Sequence, residues 1–166
     1  MVGARSAAMA FNRQVDQIYD GLNPRTSNRA LPRGLVNSGF VTLFTVISSA
    51  LFLFSSWMLN DLAFYLSPLA LAIVFLYSYT KRFTALSHPI LGLSLAIAPL
   101  GGWIAVRGQL DITPLWIAIA VLFWVGGFDI IYACLDCKFD RQVGLHSLPA
   151  QLGIGKSLKI SAAFHL

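Results

Sequence analysis

The seven acidic residues of this 166-residue chain are all aspartate, and five of them fall into two groups. Asn12, Asp16 and Asp20 read N-x-x-x-D-x-x-x-D; Tyr132, Asp136 and Asp140 read Y-x-x-x-D-x-x-x-D, with Asp129 just ahead of them. On a helix, a spacing of four puts side chains on one face, one turn apart. Amide and carboxylate oxygens are hard donors, and Mg²⁺ is commonly held by one or two carboxylates together with a substrate's phosphates. Carboxylates beside lipid are costly and normally mark a function. Two such ladders suggest a shared site for divalent cations. Asp61 and Asp111 have no ladder and read as helix-end residues.

The surroundings of the ladders add positive charge. A polar loop at residues 20–34 follows the first set, and another at residues 137–155 follows the second; both mix arginines with turn formers. Lys81 and Arg82 close another apolar stretch. Metal-bound carboxylates ringed by Arg and Lys suit a diphosphate: the metal bridges carboxylate to phosphate, and the basic side chains bind the remaining oxygens.

The elements that must position these groups are membrane helices. The chain is 57% hydrophobic and 11% charged, with a mean hydropathy of +0.69, whereas soluble domains carry about 25% charged residues. Residues 35–59, 62–79, 89–106 and 112–135 are each apolar enough to cross a bilayer, which takes about 20 residues. Short connectors imply antiparallel neighbours in a helical bundle, and strand alternation is absent. The expected fold is therefore all-α, a polytopic transmembrane bundle with four complete spans. Residues 1–11 resemble the last turns of a helix, and the stretch from Ser157 turns apolar again. We therefore expect two further partial spans and read residues 1–166 as part of one membrane domain, with helices missing at both ends.

Charge asymmetry orients the bundle. Arg5, Arg13, Arg25, Arg29, Arg33, Lys81, Arg82, Lys138, Arg141, Lys156 and Lys159 fall on one side; only Arg107 falls on the other. The positive-inside rule makes the first side cytoplasmic, and the same threading places both aspartate sets there. The net charge of +5 belongs to these membrane edges. No basic stripe with interleaved aromatics is present, so nucleic acid is not an expected partner. Cys134 and Cys137 form a C-x-x-C without the further ligands of a zinc site or the α/β context of a redox motif. Gly153 to Ser157 resembles the tail of a P-loop, but Ala150 stands where its leading glycine belongs and no strand precedes it.

Three stretches then resemble one known family in the correct order. Residues 8–29, AMAFNRQVDQIYDGLNPRTSNR, resemble the first aspartate motif of UbiA-type membrane prenyltransferases. Residues 77–84, YSYTKRFT, resemble the middle lysine motif. Residues 127–153, GFDIIYACLDCKFDRQVGLHSLPAQLG, resemble the second aspartate motif, in the form of the 4-hydroxybenzoate polyprenyltransferase branch and its menaquinone-pathway relatives.

The resemblance implies a nine-helix bundle in the lipid bilayer, two Mg²⁺ ions, and transfer of a prenyl group from polyprenyl diphosphate to an aromatic acceptor in ubiquinone or menaquinone biosynthesis. It implies that Asn12 and Asp16 serve one metal with Asp20 supporting that cluster. Asp136 and Asp140 would serve the other metal. Lys81, Arg13, Arg25 and Arg141 would bind diphosphate oxygens, and Asp129 would sit near the reacting ring or behind the ligands. A multi-pass protein of a bacterial inner membrane, with its site facing the cytoplasm, is the expected setting. Two alternatives stay open: a different acceptor, such as a dihydroxynaphthoate or a haem or chlorophyll precursor, and an ion-coupled transporter. The latter predicts acids near the midplane and inverted repeats.

Overall fold

Every backbone polar group inside a bilayer must be satisfied within the protein, which leaves this apolar chain little choice but helix. The computed structural model, which describes residues 1–166, has nine α-helices and no strand. By contact it separates into two compact units, residues 1–78 and 79–166. Four helices are long and apolar enough to cross a membrane. Their large side chains are mostly exposed, among them Phe54, Trp57, Trp116 and Trp124, as expected of faces solvated by lipid.

The first unit contains α1 (Val2–Val15), α2 (Gln17–Leu22), α3 (Ser38–Leu59) and most of α4 (Asp61–Thr80). The long apolar run expected from residue 35 becomes helical at Ser38, because Gly34 takes a positive φ of 68° and Asn37 caps the helix, accepting from the Gly39 amide at 2.7 Å. Small residues let α1 and α3 approach closely, the usual basis of helix packing in lipid. Ala7 is fully buried, and a Cβ on Gly3 would come within 2.8 Å of the Ser48 carbonyl oxygen. The hydroxyls of α3 are satisfied locally: Thr45 donates to the Val41 carbonyl at 2.8 Å, Ser49 to Thr45 at 2.8 Å and Ser56 to Phe52 at 2.9 Å. Pro68 cannot donate to the Phe64 carbonyl one turn back; the Ser67 hydroxyl does so instead at 2.8 Å.

The second unit contains α5 (Ser87–Arg107), α6 (Ile112–Ala133), α7 (Cys137–Val143), α8 (Leu148–Leu152) and α9 (Ile154–Phe164), with a 3₁₀ turn over Cys134–Asp136. α5 and α6 form an antiparallel pair that closes at Gly92, where a Cβ would collide with the Leu122 backbone. Gly108, at φ 67°, ends α5 and returns its amide to the Ile104 carbonyl at 2.8 Å. Asp111 accepts from the Trp103 indole at 2.8 Å, so this aspartate secures the α5–α6 turn, in keeping with its reading as a helix-end residue. α9 lies against α6: the Ser161 hydroxyl donates to the Gly127 carbonyl at 2.7 Å.

Candidate active site

The regular ladders expected from the sequence are interrupted, and both breaks fall at the middle aspartate. Asp16 ends α1 and precedes α2, at φ −89° and ψ 5°. Asp136 ends the 3₁₀ turn and precedes α7, at φ −100° and ψ 3°. Both lie in the sparsely populated bridge region between helix and strand, where many active-site residues are found. Aspartate side chains compete for nearby backbone groups, which makes the residue a poor helix interior and a good breaker. In the first set the turn-to-turn alignment survives the break, since the Asp16 amide reaches the Asn12 carbonyl at 3.0 Å and the Asp20 amide reaches the Asp16 carbonyl at 2.8 Å. In the second set the tighter 3₁₀ turn replaces an α turn, so Tyr132, Asp136 and Asp140 do not form one straight helical row.

Within the first unit, Asn12 and Asp16 stay together. The Asn12 amide nitrogen donates to Asp16 Oδ2 at 3.2 Å and to Ser78 Oγ at 3.5 Å, which leaves the amide carbonyl of Asn12 as a hard oxygen beside a half-buried carboxylate. Asp20 is buried and held differently. Arg29 Nη1 donates to both of its carboxylate oxygens at 2.6 Å, Arg13 stands 3.8 Å from Oδ2, and its backbone carbonyl accepts from the Thr26 hydroxyl at 3.1 Å.

Arg13 lies in the last turn of α1, outside the four long spans. Burial pushes its guanidinium below the ordinary value, the nearby charges of Arg29 and Arg25 add to this, and Asp20 and Asp16 oppose it. Three cations crowd around two carboxylates there, an excess of positive charge suited to an anion. Arg25 itself is exposed; its amide closes a turn on the Asn23 side chain at 2.9 Å. Arg13, Asp20 and Arg29 also line a cavity of about 310 Å³, together with Phe40, Val41 and Phe44.

Within the second unit, Asp140 is almost fully buried and accepts from the Ser147 hydroxyl at 2.7 Å. Lys81 and Asp136 lie within electrostatic reach of it. The loop after α7 is turned back by Gly144, at φ 74°, with the Leu145 amide on the Asp140 carbonyl at 2.9 Å. Arg141 directs its guanidinium to backbone carbonyls of α8, Ala150 at 2.8 Å and Pro149 at 3.3 Å. Asp129 accepts from Nδ1 of His88 at 2.7 Å, and His88 is fully buried. Cys134 and Cys137 are free thiols; Cys137 donates to the Pro149 carbonyl at 3.1 Å.

Sequence reasoning missed Arg29, Ser147 and His88. Arg29 is nine residues from Asp20, outside any helical period. His88 lies in the first turn of α5, and its ring reaches Asp129 on a different helix.

No three His, Cys, Asp or Glu side chains converge on a point. The donor sets that are present, the Asn12 amide oxygen with Asp16 and the Asp136 and Asp140 carboxylates, are all oxygen and few. That fits Mg²⁺ bound through one or two carboxylates and completed by substrate phosphate, and it does not fit Zn²⁺ or a soft metal.

The chain is 31% identical over 157 residues to a 4-hydroxybenzoate octaprenyltransferase of Tolumonas auensis, covering 95% of this chain and 55% of that protein. It is 33% identical over 159 residues to a protein of the same name from Vibrio atlanticus, covering 95% and 56%. The chain thus spans about half the length of the curated relatives it matches. Among solved structures, the apo form of a UbiA homolog from Aeropyrum pernix K1 superposes with a TM-score of 0.92 at 40% identity, over 98% of this chain and 62% of that one. A UbiA homolog from Archaeoglobus fulgidus, bound to DMAPP and Mg²⁺, shares the fold with a TM-score of 0.76 at 21% identity, over 99% and 62%. The UbiA prenyltransferase family profile matches residues 1–166; this integral membrane chain belongs to that family.

Proposed function

We propose that the protein transfers a prenyl group from a polyprenyl diphosphate to an aromatic acceptor of the 4-hydroxybenzoate type, in ubiquinone or menaquinone biosynthesis. One observation carries the reading: two aspartates, Asp16 and Asp136, each sit in the bridge conformation at a helix break beside further oxygen donors and cations. The names of the curated relatives support the acceptor class, and the ligands of the Archaeoglobus homolog support the donor and the metal.

Asn12 and Asp16, with Asp20 behind them, would hold one Mg²⁺, and Asp136 and Asp140 another. When bound, Mg²⁺ neutralises charge on the diphosphate and makes it a better leaving group. Lys81, Arg13, Arg25 and Arg141 would bind the remaining diphosphate oxygens, and this preorganised positive charge is the main contribution to lowering the barrier. The allylic C–O bond would ionise, the diphosphate departing with the bonding pair; the ring carbon ortho to the hydroxyl would bond to the allylic carbon, and a base would take the displaced ring proton. Apolar span faces would hold the isoprenoid and keep water from the cation. Asp129, engaged by His88, would act near the acceptor or behind the ligands. The distribution of Lys and Arg supports a site facing the cytoplasmic side of the membrane.

Asp16→Ala or Asp136→Ala in the full-length protein should lower turnover by at least about a hundredfold, the scale of losing one preorganised electrostatic contact. Turnover within a few-fold of the parent in either variant would sink the two-metal reading.

A further inference from the structure

The short segment His146-Ser147-Leu148 is held at three consecutive residues by three different elements. The His146 amide donates to the carbonyl of Lys81 at 2.7 Å. The Ser147 hydroxyl donates to Asp140 Oδ2 at 2.7 Å. The Leu148 amide donates to Nε2 of His88 at 3.3 Å. Ser147 and His88 are both fully buried. Because Nε2 of His88 accepts, its proton resides on Nδ1, where it donates to Asp129 at 2.7 Å. The ring is thereby a neutral bridge of fixed tautomer, anchored on α6 and reaching α8. Gly126 stands one turn before Asp129, and the fit there is tight: a Cβ would come within 3.3 Å of the His88 carbonyl.

We propose that His88 and Ser147 are positioning residues for the second aspartate set. The Asp129–His88 pair fixes the Leu148 amide, this fixes Ser147, and Ser147 orients the Asp140 carboxylate; the adjoining His146 amide ties the same segment to the Lys81 backbone. The segment therefore sets the position of a carboxylate and a cation together. The inference rests on the reading of Asp140 as a metal-binding group and Lys81 as a diphosphate-binding group. Partners that orient a metal ligand typically contribute about ten- to hundredfold in metal affinity or activity.

The test uses the full-length protein in lipid nanodiscs, with Mn²⁺ in place of Mg²⁺ and inorganic pyrophosphate as the anion. Free Mn²⁺ is followed by electron paramagnetic resonance. Backbone exchange of peptides covering residues 144–152 is measured in parallel. His88→Phe removes both ring bonds, Ser147→Ala removes only the hydroxyl on Asp140, and His88→Gln restores an amide able to donate and accept. The expected result is Mn²⁺ binding weakened roughly ten- to hundredfold in His88→Phe and Ser147→Ala. Exchange should rise in the segment in His88→Phe, with partial recovery of both readouts in His88→Gln. Parental Mn²⁺ affinity in a folded Ser147→Ala protein overturns the proposal, even if His88→Phe fails to fold. Absence of pyrophosphate-dependent Mn²⁺ binding in the parent protein overturns the metal reading beneath it, and with it the proposal, a result distinguishable from a failure confined to the variants.

Discussion

Asp20 separates two accounts of the first aspartate set. If it were a metal ligand, as we propose for Asp16, replacing it would raise the metal requirement and leave the fold largely intact. We propose that it serves the fold: both carboxylate oxygens accept from Arg29 Nη1 at 2.6 Å, with side-chain exposures of 10% for Asp20 and 31% for Arg29. Hydrogen bonds to charged groups contribute about 1.5–3 kcal/mol net, and breaking a fully buried pair costs about 3–5 kcal/mol. Arg29 is partly exposed and regains some hydration when its partner is neutralised, so Asp20→Asn should cost about 2 kcal/mol, toward the lower range. For a chain of this size that corresponds to a fall of about 4–8 °C in Tm, measurable by tryptophan fluorescence on heating in detergent. Arg29→Gln should cost a similar amount. The double variant should fall short of the sum by about 1 kcal/mol or more, as for any two residues in direct contact. Unchanged Tm in Asp20→Asn, together with a raised Mg²⁺ requirement, would refute the ion-pair argument and return Asp20 to the metal.

Two further outcomes follow from the packing. Gly92→Ala places a methyl group on the Leu122 backbone, which cannot move aside as a flexible side chain could. Overpacking costs about 1–3 kcal/mol, and a Tm loss of several degrees is expected, against little change for Gly102→Ala, where a Cβ meets nothing. The double variant Cys134→Ser with Cys137→Ser should retain activity within about twofold and show no response to reductant. Both thiols are free, and a hydroxyl at 137 can still donate to the Pro149 carbonyl, so the hydrogen bond and its contribution of about 1 kcal/mol persist.

The membrane helices were legible because their signals are local. Length and hydropathy located all four spans to within a few residues, and the exceptions have local causes: the Asn37 cap delays α3, and α5 begins two residues early at Ser87. The spacing of the aspartates was equally visible. Their backbone was not, because the bridge conformation at Asp16 and Asp136 depends on how each helix is interrupted, and a repeat of four reads the same through a straight or a broken helix. Partners distant in sequence were hidden for a different reason. Asp129 and His88 are 41 residues apart and Asp20 and Arg29 nine, separations set by packing and loop geometry that no periodicity encodes.

The central claim is the reaction. Membranes containing the full-length protein would be supplied with radiolabelled polyprenyl diphosphate and Mg²⁺, offering 4-hydroxybenzoate or a dihydroxynaphthoate in turn. Mg²⁺-dependent transfer of label to one of these acceptors is expected, lost in Asp16→Ala and Asp136→Ala. No transfer to either by folded protein with metal present, or transfer that persists in both variants, would contradict the claim.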